Sequence, residues 1–160
     1  MKGADKEAFD LVMQMMAIPG KSCEEGAIAE FVRSKLLAAG AEERTIRFDS
    51  AHKRTPDKGE VGNLICKLPG TIRKPRRMLM AHLDTVPICV GCRPVRKGNF
   101  VRSANPNTGL GADDRAGAAV VLNAALRILK DGTPHPPLTF FRTVQDVIAL
   151  QGARSASIGQ

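Results

Sequence analysis

Apolar residues recur at helical spacing through "DKEAFDLVMQMMAIPG" at the start of the chain. Phe9, Val12, Met13 and Met16 fall on one side, and Pro19-Gly20 stops the run, so a first helix with a core-facing stripe is expected. Ser22 lies three residues before Glu25, the spacing of a capping box. The helix it opens carries Ala27, Ile28, Phe31, Val32 and Leu36 on one side and ends at Gly40. The period then changes to two. "ERTIRFDS" alternates and predicts a strand, a polar loop follows, and "GNLICKLPG" alternates again until Pro69-Gly70. "RRMLMAH" is a more continuous apolar run, the mark of a central strand covered on both faces. After a tight segment at residues 111–116, a helix is predicted from Gly117, with Val120, Val121, Ala124, Leu126, Ile128 and Leu129, closing near Gly132. "PHPP" is a rigid connection to "LTFFRTV", another buried strand. Helix, helix, three strands, helix, strand is the order of a three-layer α/β fold, helix/sheet/helix.

Composition narrows the classes. At 160 residues and 43% hydrophobic, the chain has enough apolar material for one packed domain and too much for disorder. No apolar run is long enough to cross a bilayer, and the N-terminus lacks the apolar core of a signal peptide. The expectation is a soluble cytoplasmic protein. Formal charge is +8, from 24 Lys and Arg against 16 Asp and Glu, which raises nucleic-acid binding. The basic residues gather in "HKRTPDK" and "TIRKPRR", both with proline and without interleaved aromatics. Solvated loops are therefore the expected reading, with a phosphate-binding patch as the alternative. Four cysteines are present. Cys89-Val90-Gly91-Cys92 has the spacing of half a zinc knuckle, but no second such pair accompanies it. An ordinary turn is expected there, with structural zinc or a redox pair as the alternatives.

The candidate chemistry sits after the strands, where open α/β sheets gather functional groups. His82 ends the "MLMAH" run, and imidazole suits a borderline-soft metal. Asp84 lies on the same side of an extended segment, two residues on. There it can hold the other ring nitrogen of a ligating histidine. The plainer alternative is a surface histidine beside a turn aspartate. In "GLGADDRAG", Asp113 and Asp114 stand side by side before a helix. One can cap the helix, but two adjacent acids repel unless a cation offsets them. Arg115 could be that cation, or a carboxylate could bridge two metals.

"AHLDTVP", then "GLGADDRAG", then "TVQD" after a strand, with "VGNLICKLPG" before them, resembles the dizinc peptidases and deacylases of the peptidase T, acetylornithine deacetylase and succinyl-diaminopimelate desuccinylase group. The likeness is greatest to the peptidase T-like, tripeptide aminopeptidase branch. It runs from the first helix to Ala153. It implies a zinc-exopeptidase-like, phosphorylase/hydrolase-like fold and two zinc ions. By this resemblance His82 is a ligand of one zinc, Asp84 orients it, and Asp113 bridges both metals. Two adjacent glutamates would follow "TVQ", the first a general base and the second a ligand of the second zinc. This chain has Asp146 and Val147 there, and Ala149 where a glycine is usual. Asp146 is one methylene shorter than the expected base, and Val147 cannot bind metal. The remaining ligands are expected beyond residue 160.

The resemblance thus implies that residues 1–160 form the N-terminal portion of a catalytic domain, an incomplete half, with the lid or dimerisation domain and the C-terminal catalytic portion absent. The complete parent would hydrolyse short peptides, while this chain would be truncated and inactive, holding zinc weakly or partially. Apolar surface left by missing strands would favour self-association. The alternative is a non-catalytic binding or interaction protein that retains the scaffold. Membrane association is not expected, and nucleic acid rests on charge alone.

Overall fold

The computed structural model describes residues 3–159. Helix α1 (Gly3–Ala17) and helix α2 (Gly26–Ala38) come first. Strand β1 (Ile46–Phe48), the short helix α3 (Ala51–Arg54), strand β2 (Leu64–Leu68) and strand β3 (Arg77–His82) follow. A hairpin of β4 (Pro94–Lys97) and β5 (Phe100–Ser103) precedes helix α4 (Ala112–Asp131), strand β6 (Leu138–Thr143) and the short helix α5 (Gln151–Arg154). The main sheet has the order β1-β2-β6-β3. β2 runs antiparallel to both β1 and β6, and β3 runs parallel to β6.

Each long helix turns one apolar stripe onto the same sheet face. Leu11 and Met15 of α1, Ile28, Val32 and Leu36 of α2, and Ala118 and Leu122 of α4 pack on Leu64, Cys66 and Leu68 of β2 and Phe140 of β6. Fully burying one side chain of this size contributes roughly 1.5–3 kcal/mol. On the other face, Ile65 and Phe141 are buried, as alternation along β2 and β6 requires. Residues 155–159 lie over this side, tied down by hydrogen bonds from Arg47 to the Ser157 carbonyl, Arg54 to the Ser155 carbonyl and Lys67 to the Gly159 carbonyl. Asn63 joins the layers. Its amide nitrogen donates to Asp49 and to the Gly152 carbonyl, and its Oδ1 accepts from Val144 N–H. The result is the α/β, helix/sheet/helix layering that the pattern predicts.

Several local expectations are overturned. β3 is an edge strand, because among the described residues only β6 pairs with it; Met78 and Met80 are each 51% exposed. The central, fully buried strand is β6. In α1 the buried line runs through Leu11, Met15 and Met16, while Phe9, Val12 and Met13 are only partly covered. Ser22 caps nothing. Its hydroxyl donates to Asp84, and α2 begins without a side-chain cap. The β4–β5 hairpin has no counterpart in the apolar pattern, since its residues are mostly exposed.

One feature of β6 runs against its surroundings. Arg142 occupies the helix-facing side of the sheet, opposite Leu64 and Ala81 in register, and is 1% exposed. All three guanidinium nitrogens are buried without a hydrogen-bond partner among the described residues. Burial pulls its pKa down to about 10, against weak attraction from Cys66 and Asp114. A buried charge of this kind is costly, and an apolar replacement of similar length removes the cost. Arg142→Met is expected to stabilise the fold by about 1–4 kcal/mol, read as a higher urea midpoint. A lower midpoint would show that the guanidinium has an essential partner.

Candidate metal centre

Parallel pairing brings the carboxyl ends of β3 and β6 together, with His82 opposite Thr143. Leu83 N–H continues the ladder to the Thr143 carbonyl at 2.9 Å. The chain then turns inward, and Asp84 is fully buried. Its carboxylate collects four donors. Ser22 Oγ donates to Oδ2 at 2.5 Å, Asp146 N–H to Oδ1 at 3.0 Å and Val147 N–H to Oδ2 at 3.1 Å. His82 Nδ1 lies 3.2 Å from Oδ1 and 3.0 Å from the Asp84 carbonyl oxygen. Burial alone pushes the Asp84 carboxyl up, but the bonds from His82, Ser22 and the two amides outweigh it and hold the group below its ordinary value.

The same contact acts on His82. The hydrogen bond to Asp84 raises its pKa from 6.5 to about 9, against desolvation and with help from the charges of Asp84 and Asp146. With Nδ1 committed to Asp84, Nε2 faces Asp113 Oδ1 at 3.3 Å.

Asp113 reaches this position because the start of α4 is not helical. Gly111 has φ +71°, and a side chain there would meet Thr85 Cγ2 at 3.3 Å and Cys89 Cβ at 3.4 Å. Asp113 itself is extended (φ −91°, ψ 109°), and its peptide with Asp114 is cis. The adjacent acids face different partners. Asp114 Oδ1 accepts from Gly117 N–H at 3.1 Å, while the Asp113 side chain is 97% exposed beside His82. Arg115, one of the two possibilities for offsetting them, does not do so. It is buried and donates to the carbonyls of Met15 and Gly20, at 2.9 and 3.3 Å, closing the end of α1.

Asp146 stands at the same strand ends. Burial raises its pKa, partly countered by the positive charge on His82, and Thr143 Oγ1 donates to its carboxylate at 3.3 Å. Val147 is bound through its backbone to Asp84, with its side chain largely exposed. The structure thus brings His82, Asp84 and Asp113 into contact, with Asp146 alongside. Among the described residues, however, no group of three or more His, Cys, Asp or Glu converges on a common metal position. A catalytic zinc takes three protein ligands, so the donor set present does not fit one.

Glu25 is the residue that pattern reading misplaced. Its Oε1 accepts from Cys23 N–H at 3.0 Å and from Gln145 N–H at 2.9 Å, which fixes the turn leading to Asp146. Burial raises its carboxyl to about 7, the two amides oppose this, and the nearby Asp84 charge adds to it. The "SCEE" segment looks like a helix cap; nothing local reveals a bond to a residue 120 positions away.

The sign of the His82 coupling follows from its raised value. Stability from the protonated ring is complete below about pH 6.5 and is lost as pH rises through 9. Asp84→Asn removes the principal cause of the shift. The His82 pKa, followed by NMR of the ring protons, is expected to fall by at least one unit, about a tenfold change in proton affinity. An unchanged titration would mean that Asp84 does not control the ring.

Known proteins share this fold. The chain is 28% identical to a tripeptidase from Staphylococcus aureus, with a TM-score of 0.85 over 96% of this chain and 40% of that one. It is 27% identical to aminopeptidase PepT from Bacillus cereus, with a TM-score of 0.84 over 95% and 39%. It is also 27% identical over 151 residues to the Bacillus subtilis protein YqjE, covering 94% of this chain and 39% of that protein. The chain therefore spans about 40% of the length of these relatives. The profile of peptidase family M28 matches residues 63–150, from β2 past β6, and takes in His82, Asp84, Asp113 and Asp146. By that match the chain belongs to peptidase family M28.

Proposed function

We propose that residues 1–160 are the N-terminal portion of the catalytic domain of a peptidase T-like aminopeptidase, and that they are catalytically silent alone. The observation that carries this reading is the pair of joined strand ends. His82 is held by buried Asp84 and faces Asp113, while Val147 occupies the place where a second carboxylate is expected. In this reading His82 and Asp113 are metal ligands, Asp84 positions His82, and Asp146 stands in for the general base. The remaining zinc donors, the lid or dimerisation domain and the rest of the catalytic domain come from sequence outside these residues. The complete parent takes two zinc ions and acts on short peptides. That the similar structures are a tripeptidase and an aminopeptidase supports that substrate class.

No catalytic step is assigned to this chain. Two donors hold a zinc ion loosely, the rest of its shell being water. Asp146 is one methylene short of a glutamate base, and general-base catalysis depends on hydrogen-bond reach. Metal analysis of the purified chain, run beside hydrolysis of a panel of di- and tripeptides, is expected to give substoichiometric zinc, lowered further by His82→Ala, and no turnover. Stoichiometric zinc with turnover that disappears in His82→Ala would make the 160 residues an enzyme in their own right.

A second reading, a non-catalytic interaction protein on the same scaffold, is favoured by the edge position of β3. Its outer backbone groups have no strand partner among the described residues, and Met78 and Met80 of the same strand are exposed. Open strand edges with apolar side chains pair with other chains. Light scattering of the 160-residue protein is expected to show concentration-dependent association, weakened by Met80→Lys. A clean monomer over a wide concentration range would remove this reading. No helix among the described residues is long and apolar enough to cross a membrane.

A further inference from the structure

The segment that delivers Asp113 rests on two sulfurs. Cys89-Val90-Gly91-Cys92 forms a tight turn closed by a hydrogen bond from Cys92 N–H to the Cys89 carbonyl at 3.1 Å. Val90 has φ −64° and ψ 129°, and Gly91 has φ +80°, the dihedral signature of a type II turn. Such a turn brings its first and last Cα atoms within about 7 Å, and disulfides span roughly 4.4–6.8 Å between Cα atoms. Both thiols are free. Cys89 is half-buried and reachable; Cys92 is buried. The other two cysteines are engaged elsewhere. Cys66 faces the core from β2, and Cys23 Sγ accepts a hydrogen bond from Gln145 Nε2.

Each thiol touches the stretch 109–111. Cys92 Sγ donates to the Leu110 carbonyl at 3.5 Å. Cys89 Sγ packs so closely on Gly109 that a Cβ there would sit 2.9 Å from it, and on Gly111 a Cβ would sit at 3.6 Å. Gly109 N–H also donates to the Ile88 carbonyl at 3.0 Å. Two residues after Gly111 comes Asp113, whose reach to His82 depends on the non-helical backbone described above.

We propose that Cys89 and Cys92 are a dithiol modification site that forms a reversible intramolecular disulfide and thereby shifts the 109–113 segment that presents Asp113. The oxidant class is a low-molecular-weight disulfide. Cys89, as thiolate, attacks one of its sulfurs; a mixed disulfide forms and one small thiol leaves with the first proton. Cys92 then attacks the Cys89 sulfur, the mixed disulfide breaks, and the second small thiol leaves with the second proton. The protein loses two electrons and two protons, and the small disulfide gains them. Closing the bond turns the sulfurs toward each other. The Cys92 bond to Leu110 and the Cys89 packing on Gly109 and Gly111 are both given up. The disulfide and the segment shift are independent of any metal; their consequence for zinc rests on the reading of Asp113 given above.

The test treats the full chain with glutathione disulfide. Peptide mass mapping is expected to find loss of two hydrogens confined to Cys89 and Cys92 within one chain, reversed by dithiothreitol. Amides at residues 110–113 are expected to exchange about tenfold faster in the oxidised form. Cys92→Ser is expected to trap one glutathione on Cys89. If that variant does not fold, mapping and exchange on the unaltered chain still decide the matter. Disulfides joining two chains, glutathione persisting on Cys89 of the unaltered chain, or an oxidised pair with unchanged exchange at 110–113 would each overturn the proposal. Zinc content plays no part in these outcomes, so failure of the peptidase reading leaves a separate trace.

Discussion

A single buried carboxylate organises the functional end of this domain. Asp84 lies in the interior with no water to solvate it, so every lone pair that is not bonded is a cost. It meets that demand from three separate parts of the chain: Ser22 before α2, His82 at the end of β3, and the amides of Asp146 and Val147 after β6. The loops beyond two parallel strands are thereby fixed to each other and to the N-terminal helices. Asp84 accepts protein donors at both of its oxygens, and the depressed pKa is the electrostatic expression of that fit.

Around this centre a second set of buried charges carries the helices. Arg115 reaches from α4 to the Met15 carbonyl in the last turn of α1 and to the Gly20 carbonyl beyond it. Glu25 reaches from the start of α2 to the amide of Gln145. Their ordinary charge preferences are strained in opposite senses. Burial lowers the arginine to about 10 and raises the glutamate to about 7. Arg142 is the contrast within the same core, a buried cation whose guanidinium has no hydrogen-bond partner among the described residues. Position, and not burial by itself, decides whether a charged side chain ties elements together.

The centre is well made on one side and unfinished on the other. The histidine ring is held by Asp84 through Nδ1, and a second carboxylate, Asp113, faces its Nε2. At Val147 the backbone is anchored to Asp84 as firmly as its neighbour's, but the side chain has nothing to offer a cation. The contacts that orient His82 are thus more complete than the set of donors around its Nε2. The chain spans about 40% of the length of the relatives it matches.

Much of this was legible along the chain. Period-three-to-four and period-two patterns placed the long helices and main strands, because each buries one face and the pattern is the record of that face. The strand-end residues His82 and Asp84 and the Asp113–Asp114 pair stood out, since polar groups of that kind interrupt apolar segments for a reason. What the pattern could not carry was pairing. A continuous apolar run marks β3 as covered, yet only the strand order makes it an edge and β6 the centre. Ser22 and Glu25 carry the spacing of a helix cap, but their partners lie 62 and 120 residues away. Arg115 stands beside two acids in sequence and turns from both to reach carbonyls 95 and 100 residues distant. Sequence by itself determined the long helices and the main strands and marked the polar residues at their ends, because those depend on local spacing. Only the tertiary structure decided which buried polar group answers which, because that choice is made by desolvation, and desolvation exists only once the chain has closed around the group.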